Sequence, residues 1–473
     1  MRIRHIGAAA LGFAGVAFAA LLHAQPAQGL PMPGTQTPPL TLAQAAPITL
    51  AQAAPITLAQ ALRAARNNVD VALARSAAAA AQADVLAADH APFPTLSAKL
   101  SSIDLQNDIG AGNLLGDKRI DKGIGVDWTY ERGNKRALRT QAAQRGASAA
   151  EADLEDTQMQ QLLAASGAFF DLTAAQERIT QVEAIAAGTA QMASTAARRV
   201  SAGDLARQDL LRLEIEAERA KGDVLAAKLE RGRASLALAA LLGAGVTAGA
   251  GTSRAALSAV APAQNLQTLA DWPALASPDG LPGSTTNDGN LAAWVDARPD
   301  VRAATERVEA ARAAQASASA LKKADITWGV SLDHFPGTST RQLELRLQMP
   351  LQFGYQFQGE TGRAQALLTA AQDALDKARR AATLDLQGLM AQLQSGALRS
   401  RSYERDILPR AAQVAAQAEF AYTKGALNLA DLLDARRTLR TTGLEALAAR
   451  TDHAKAATTW RLRTQPMAAL LAE

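Results

Sequence analysis

Gly203-Asp204-Leu205-Ala206-Arg207-Gln208-Asp209-Leu210-Leu211 and Gly425-Ala426-Leu427-Asn428-Leu429-Ala430-Asp431-Leu432-Leu433 share one frame: a glycine, five residues, then Asp-Leu-Leu. Glycine supplies the left-handed backbone that ends a helix, and an acidic residue in a first turn complements the dipole of the next helix. Each stretch therefore reads as the turn of a helical hairpin. Outward from the two turns, the chain is written twice. No proline interrupts residues 133–201, which gives a potential rod on the order of 100 Å at a rise of about 1.5 Å per residue. Residues 354–424 repeat it, with Pro409 as an expected kink or local break. Rods of this length need similar rods to pack against, which points to an assembly.

Upstream of each rod lie segments with a period of two. Ile124, Val126, Trp128 and Tyr130 alternate with Gly125, Asp127, Thr129 and Glu131. Ile326, Trp328, Val330 and Leu332 alternate with Thr327, Gly329, Ser331 and Asp333; Leu343, Leu345, Leu347, Met349 and Leu351 do so with Glu344, Arg346 and Gln348. A weaker strand is expected over 93–104, its apolar parity slipping near Ser101 as at a bulge. Strands of roughly 9 to 12 residues suit a tilted crossing of a bilayer, with the apolar positions facing lipid. A sheet on a soluble core would show the same period. Four strands cannot close on themselves, because the smallest membrane barrels use about eight, so a spanning barrel needs several chains. Further upstream, Asn67-Asn68-Val69-Asp70 opens a helix expected to run to His90, and Arg298-Pro299-Asp300-Val301 opens a matching one to Lys323.

The 473 residues carry a formal charge of +4, with basic and acidic residues interspersed, so no nucleic-acid footprint is expected. Hydrophobic residues reach 48% but aromatics only 4%, which favours long Ala-rich helices over a globular core. There is no cysteine, which excludes disulfides, thiolate metal sites and N-terminal cysteine lipidation. No nucleophile–base pair, cofactor loop or metal-ligand cluster stands out; Leu242-Gly243-Ala244-Gly245 reads as a helix stop. The expected organisation is a cleaved secretory leader (1–24), then a Pro/Gln-rich linker with a tandem LAQAAPIT octapeptide (25–56), after which Thr57, the last residue of the second copy, opens the first lasting helix. A first repeat (57–245), a connector of little regular structure (246–296), a second repeat (297–466) and a tail (467–473) follow.

Together these features resemble the TolC family of outer-membrane efflux proteins, with Tyr422-x-x-Gly425-x5-Asp431-Leu432-Leu433-Asp434-Ala435 as the most specific element. Next come Arg298-Pro299-Asp300 and Pro350-Leu351-x-Phe353-Gly354. The resemblance implies a mainly α fold with a small β part: a long α-helical coiled-coil barrel plus four membrane strands per protomer, three protomers sharing a twelve-stranded barrel. It implies a passive exit duct of a tripartite efflux system in the outer membrane, extending into the periplasm. The implied partners are outer-membrane lipid, a periplasmic adaptor and an inner-membrane pump of the RND type. Gly203, Asp209, Gly425, Leu432 and Leu433 would form the periplasmic turns, and Asp431 with Asp434 the gate, two rings of carboxylates around a threefold axis. An arginine that ties the gate in TolC corresponds to Leu427 here, so the locking contacts must differ. Glu131-Arg132-Gly133-Asn134-Lys135-Arg136 is similar to the strand exit of the CzcC-like heavy-metal branch, with Asn134 in place of a glycine. The competing readings are a soluble periplasmic coiled-coil scaffold and a type I secretion duct.

Overall fold

The computed structural model describes residues 55–101, 120–243, 266–275, 288–335 and 339–465. The leader, the tail, nearly all of the octapeptide linker and most of the connector lie outside the described residues.

Thr57 starts helix α1 (Leu58–Ala65) through a capping box: its hydroxyl accepts the Gln60 N–H at 3.3 Å, and Gln60 Oε1 accepts the Thr57 N–H at 3.1 Å. That helix is not lasting. The chain turns at Arg66–Asn68, and Asn68 accepts the Val71 N–H at 3.0 Å to open α2 (Val69–Ala88). Asn68 also donates to Gln161 at 2.7 Å, so the break is fixed by a tertiary contact as well as by the local cap. The stretch Leu58–Ala88 is long and apolar enough to pass for a membrane span by hydropathy. It is nevertheless two helices, carries Arg63, Asp70, Arg75 and Asp84, and lies against the next long helix through Leu62, Met159 and Leu162.

Strands β1 (Thr95–Ser101) and β2 (Asp121–Tyr130) precede the 67-residue helix α3 (Lys135–Ser201), which hairpins into α4 (Arg207–Leu241). Helix α4 ends where Gly243 takes φ 69°, the expected helix stop. The connector holds an unexpected helix, α5 (Asp288–Ala297), whose Leu291, Trp294 and Val295 pack onto the second repeat. Its apolar residues are too few for a clear helical period, so tertiary packing rather than pattern defines it. Helix α6 (Pro299–Ala320), with Pro299 at its start, leads to β3 (Ile326–Phe335) and β4 (Ser339–Gln348). The second rod is α7 (Gln358–Ser402) and α8 (Leu408–Thr423), followed by α9 (Leu429–Thr464). Between α7 and α8, residues Tyr403–Ile407 form a π-turn. Pro409 would otherwise press on the carbonyl four residues back; the wider turn accommodates it, so the expected break is a π-turn.

The sheet order is β1-β2-β3-β4, antiparallel throughout. Strand β1 pairs from Thr95 to Ser101 without a shift, and any slip beyond Ser101 lies outside the described residues. The irregularity sits instead between Asp333 and Phe335. Among the helices, alanines do most of the packing: Ala65, Ala165, Ala303, Ala382, Ala397 and Ala449 are fully buried. Larger side chains concentrate around Phe169 and Phe170, edge to face at 5.5 Å, with Trp272 stacked on Phe170 at 5.8 Å. Burying each phenylalanine contributes about 1.5–3 kcal/mol.

Candidate functional site

The two Gly-x5-Asp-Leu-Leu turns have the same backbone. Gly203 and Gly425 adopt φ 83° and 76°, a conformation open to glycine at little cost. In the first turn the Gly203 N–H donates to the Val200 carbonyl at 3.1 Å and the Asp204 N–H to Arg199 at 2.9 Å. In the second, Gly425 donates to Tyr422 at 3.0 Å and Ala426 to Ala421 at 2.9 Å. These are paired Schellman motifs. Leu205 and Leu427, at equal distances past the glycines, enter one shared apolar cluster with Leu210, Leu213, Leu429, Leu432 and Leu433. The structure thus brings both turns together, and Leu432 lies at its centre, 2% exposed. Leu427, which stands where the resemblance expects an arginine, is part of this apolar contact.

The acidic residues differ between the turns. Asp431 is exposed, its N–H donating to Asn428 Oδ1 at 2.9 Å while its carboxylate accepts from Asn428 Nδ2 at 2.8 Å. It therefore supports the helix start. Asp434, one turn on, is exposed and shares its face. In the first turn Asp209 meets Arg212 at 3.9 Å, and Arg212 occupies the place that Asp434 holds in the second. Above the turns, ion pairs tie α9 to its neighbours: Arg436 to Glu419 at 2.6 Å, Arg437 to Glu216 at 3.2 Å, and Arg440 to Asp223. The sequence shows many charges on these helices, and only the packing selects which of them meet.

The second candidate surface is the sheet. Register places Ile124 opposite Leu332, Val126 opposite Val330 and Trp128 opposite Trp328. It continues with Trp328 opposite Leu347, Val330 opposite Leu345 and Leu332 opposite Leu343. Directly opposed residues share a face. Ile124, Val126, Trp128, Tyr130, Trp328, Val330, Leu345 and Leu347 are all exposed on it, from 47% for Val126 to 74% for Leu345. The other face is polar and hydrogen-bonded within itself: Thr129 to Thr327 at 2.9 Å, Ser331 to Asp333 at 2.8 Å, and Arg346 to Asp127 at 2.7 Å.

The strand exit Glu131–Arg136 is held by ion pairs. Glu131 meets Arg139 at 3.0 Å, Lys135 meets Asp325 at 2.8 Å, and Arg136 meets Asp89 at 3.0 Å. Gly133 and Asn134 are both left-handed, φ 81° and 58°, and asparagine is among the few residues that tolerate this. The replacement of glycine by Asn134 therefore keeps the turn.

Three comparisons place this arrangement. A family model described as outer membrane efflux protein matches residues 58–244. The solved outer membrane protein VceC from Vibrio cholerae is similar, with a TM-score of 0.68 at 16% identity, covering 86% of this chain and 95% of VceC. The MtrE outer membrane channel of Neisseria gonorrhoeae, in its open state, gives 0.65 at 17%, covering 86% and 91%. The CmeC outer membrane channel of Campylobacter jejuni gives 0.64 at 14%, covering 86% and 85%. No curated protein matches the sequence. The resemblance and the fold class read from the sequence are borne out.

Proposed function

We propose that this chain, whose residues 58–244 match the outer membrane efflux protein model and whose fold is that of solved outer-membrane channels, is the outer-membrane exit duct of a tripartite efflux system. The observation that carries this reading is the four-stranded sheet: one face exposed and apolar, the other polar, with β1 and β4 each lacking a strand on its outer side among the described residues. A water-soluble scaffold would bury that face. Three copies joined edge to edge supply twelve strands and remove every free edge. The helices then continue the barrel into the periplasm, where the paired turns form the mouth and the exposed Asp431 and Asp434 its gate. Transport is passive, its energy coming from an inner-membrane pump of the RND type through a periplasmic adaptor.

The finer reading, a heavy-metal cation as cargo, rests on the likeness of Glu131–Arg136 to the CzcC-like branch. A type I secretion duct shares the same barrel and differs in cargo. Purification from outer-membrane fractions, mass measurement in detergent and planar-bilayer recording test the duct. The expected result is a conducting trimer. A folded monomer with exchange-protected strands would sink it. Growth of a deletion strain on zinc, cobalt or cadmium, against growth on organic drugs, tests the cargo.

A further inference from the structure

The duplicated unit builds one helix junction inside the chain and leaves its counterpart open. Helix α3 leaves the sheet after β2, α6 leads back to it before β3, and the two pack against each other antiparallel. Three ion pairs key them: Arg145 to Glu306 at 3.1 Å, Arg302 to Glu155 at 2.6 Å, and Arg307 to Asp153. On the same stripe of α6, Ala303 and Ala313 are only 0% and 5% exposed.

The counterpart of α6 in the first repeat is α2, and that of α3 in the second repeat is α7. With the caps Asn68 and Arg298 aligned, Leu73 and Ala83 take the places of Ala303 and Ala313. Here they are exposed, Leu73 by 65%. Helix α7 buries Ala364, Leu368, Ala382 and Leu386 within the chain and leaves Ala366, Ala370, Asp373 and Lys377, at helical spacing on its other side, exposed. The two helices end the layer α2-α3-α6-α7, and each belongs to a sheet edge: α2 leads to β1 and α7 follows β4.

These end helices also carry opposite charges at matching depths. Counted from the sheet, Asp84 of α2 and Arg363 of α7 stand about one turn in, and Arg75 and Asp373 about four turns in. All four are exposed, and none meets an oppositely charged side chain at ion-pair distance among the described residues. Exposed pairs add little stability, but they fix alignment and disfavour registers that oppose like charges.

We infer that α2 of one copy docks antiparallel on α7 of the next, rebuilding the α3–α6 junction between copies, with Arg75 set against Asp373 and Asp84 against Arg363. The inference rests on the proposed assembly of three copies and adds the seam by which one copy recognises another. Backbone bonds between a β1 edge and a β4 edge can form in more than one register, and the helix seam selects among them. The second copy is the occupant this face fits, because it presents an antiparallel helix of small residues with the opposite charge at each level.

The chain has no cysteine, so a placed pair reports without background. The full-length protein carrying Ala83→Cys and Ala366→Cys, both exposed and at similar depth, is oxidised in outer-membrane fractions and separated without reductant. Disulfide-linked dimers and trimers are expected. Replacing Ala366→Cys by Ala391→Cys, about seven turns farther along α7, should abolish them. Arg75→Asp or Asp373→Arg alone should lower the cross-linked fraction about twofold or more, and the two together should restore it, which separates pairing from misfolding. Disulfides confined within one chain, an adduct with a different protein, or equal cross-linking from both cysteine placements would overturn the seam. A trimer by mass in detergent that fails to cross-link would overturn the seam alone, whereas a monomer would overturn the duct, so the two failures are distinguishable.

Discussion

Arg346 donates to Asp127 at 2.7 Å although their strands are not neighbours, and the bond passes over Gly329 on the strand between them. Register aligns the three: Asp127 opposite Gly329, and Gly329 opposite Arg346. A Cβ on residue 329 would lie 2.4 Å from Asp127 Oδ1 and 3.0 Å from Arg346 Nε. The glycine is therefore a gap that lets two charges meet across a strand. Gly329→Val should separate them and lower the unfolding temperature, because its Cβ needs the space the two side chains occupy. Asp127→Asn should cost less, because the pair is solvated. Thermal unfolding of the assembled protein compares the two; a harmless valine would mean the space is not needed.

At the proposed mouth, the bonds between Asp431 and Asn428 separate a helix-start role for Asp431 from the proposed gate role. Asp434→Ala should reduce cation selectivity and block by multivalent cations applied from the helix side, with little loss of stability. Asp431→Ala should do the same and also weaken the helix start by about 0.3–1 kcal/mol, through loss of its carboxylate from the first turn and of the bond that carboxylate accepts from Asn428 Nδ2, while the bond from its backbone N–H survives. Single-channel recording reads the first effect and denaturant unfolding the second. Unchanged selectivity in the double variant would make both aspartates ordinary helix-start residues.

Arg298, 8% exposed, holds Asp300 at 2.9 Å and Asp385 at 2.7 Å, pinning the start of α6 to α7. Arg298→Met keeps the stem and removes the fork. It should destabilise the protein by about 1–3 kcal/mol, the cost of leaving half-buried carboxylates without their partner. Arg298→Lys should recover little of this, since an ammonium cannot span both. Hydrogen exchange in α6 is the sharper measurement: protection that survives Arg298→Met would show that the apolar contacts of Val301 and Leu386 suffice.

His453 is 2% exposed, its backbone close enough to Gly396 that a Cβ there would lie 3.4 Å from His453 Cα. Burial holds its imidazole below the ordinary value of 6.5; Glu404 pulls the other way and Arg401 adds to the fall. The folded chain thus binds this proton less readily than the unfolded one. The stability tied to neutral His453 is complete above about pH 6.5 and is lost as the pH falls below it. Wild type should accordingly lose more melting temperature between pH 7.5 and pH 5.5 than His453→Gln. Equal losses would assign the acid sensitivity elsewhere.

The repeats and the strands were legible because each rests on a short local signal: a glycine seven residues before a Leu-Leu pair, or apolar residues at every second position. Asn68 shows where local signals stop. Its cap could be foreseen, but Thr57 offered an equally good helix start upstream, and only the bond to Gln161 explains why the chain breaks between them. Helix α5 and the contacts of Arg436, Arg437 and Arg440 were equally hidden, since partners far apart in sequence define them. Of the candidate mouth, the leucines and glycines could be placed from the sequence. The capping bonds of Asp431 could not, because Asn428 was read only as a spacer in the motif.

Arg212 and Asp434 stand at equivalent places in two turns of equal backbone. In an assembly of three copies, duplication within the chain turns three subunits into six turns. One substitution then changes alternate positions around the circumference, leaving the other three untouched. An opening lined by these turns, as proposed, would be retuned electrically by half its perimeter at a time, a finer adjustment than an unduplicated sixfold ring would allow, in which any change of charge is made six times over.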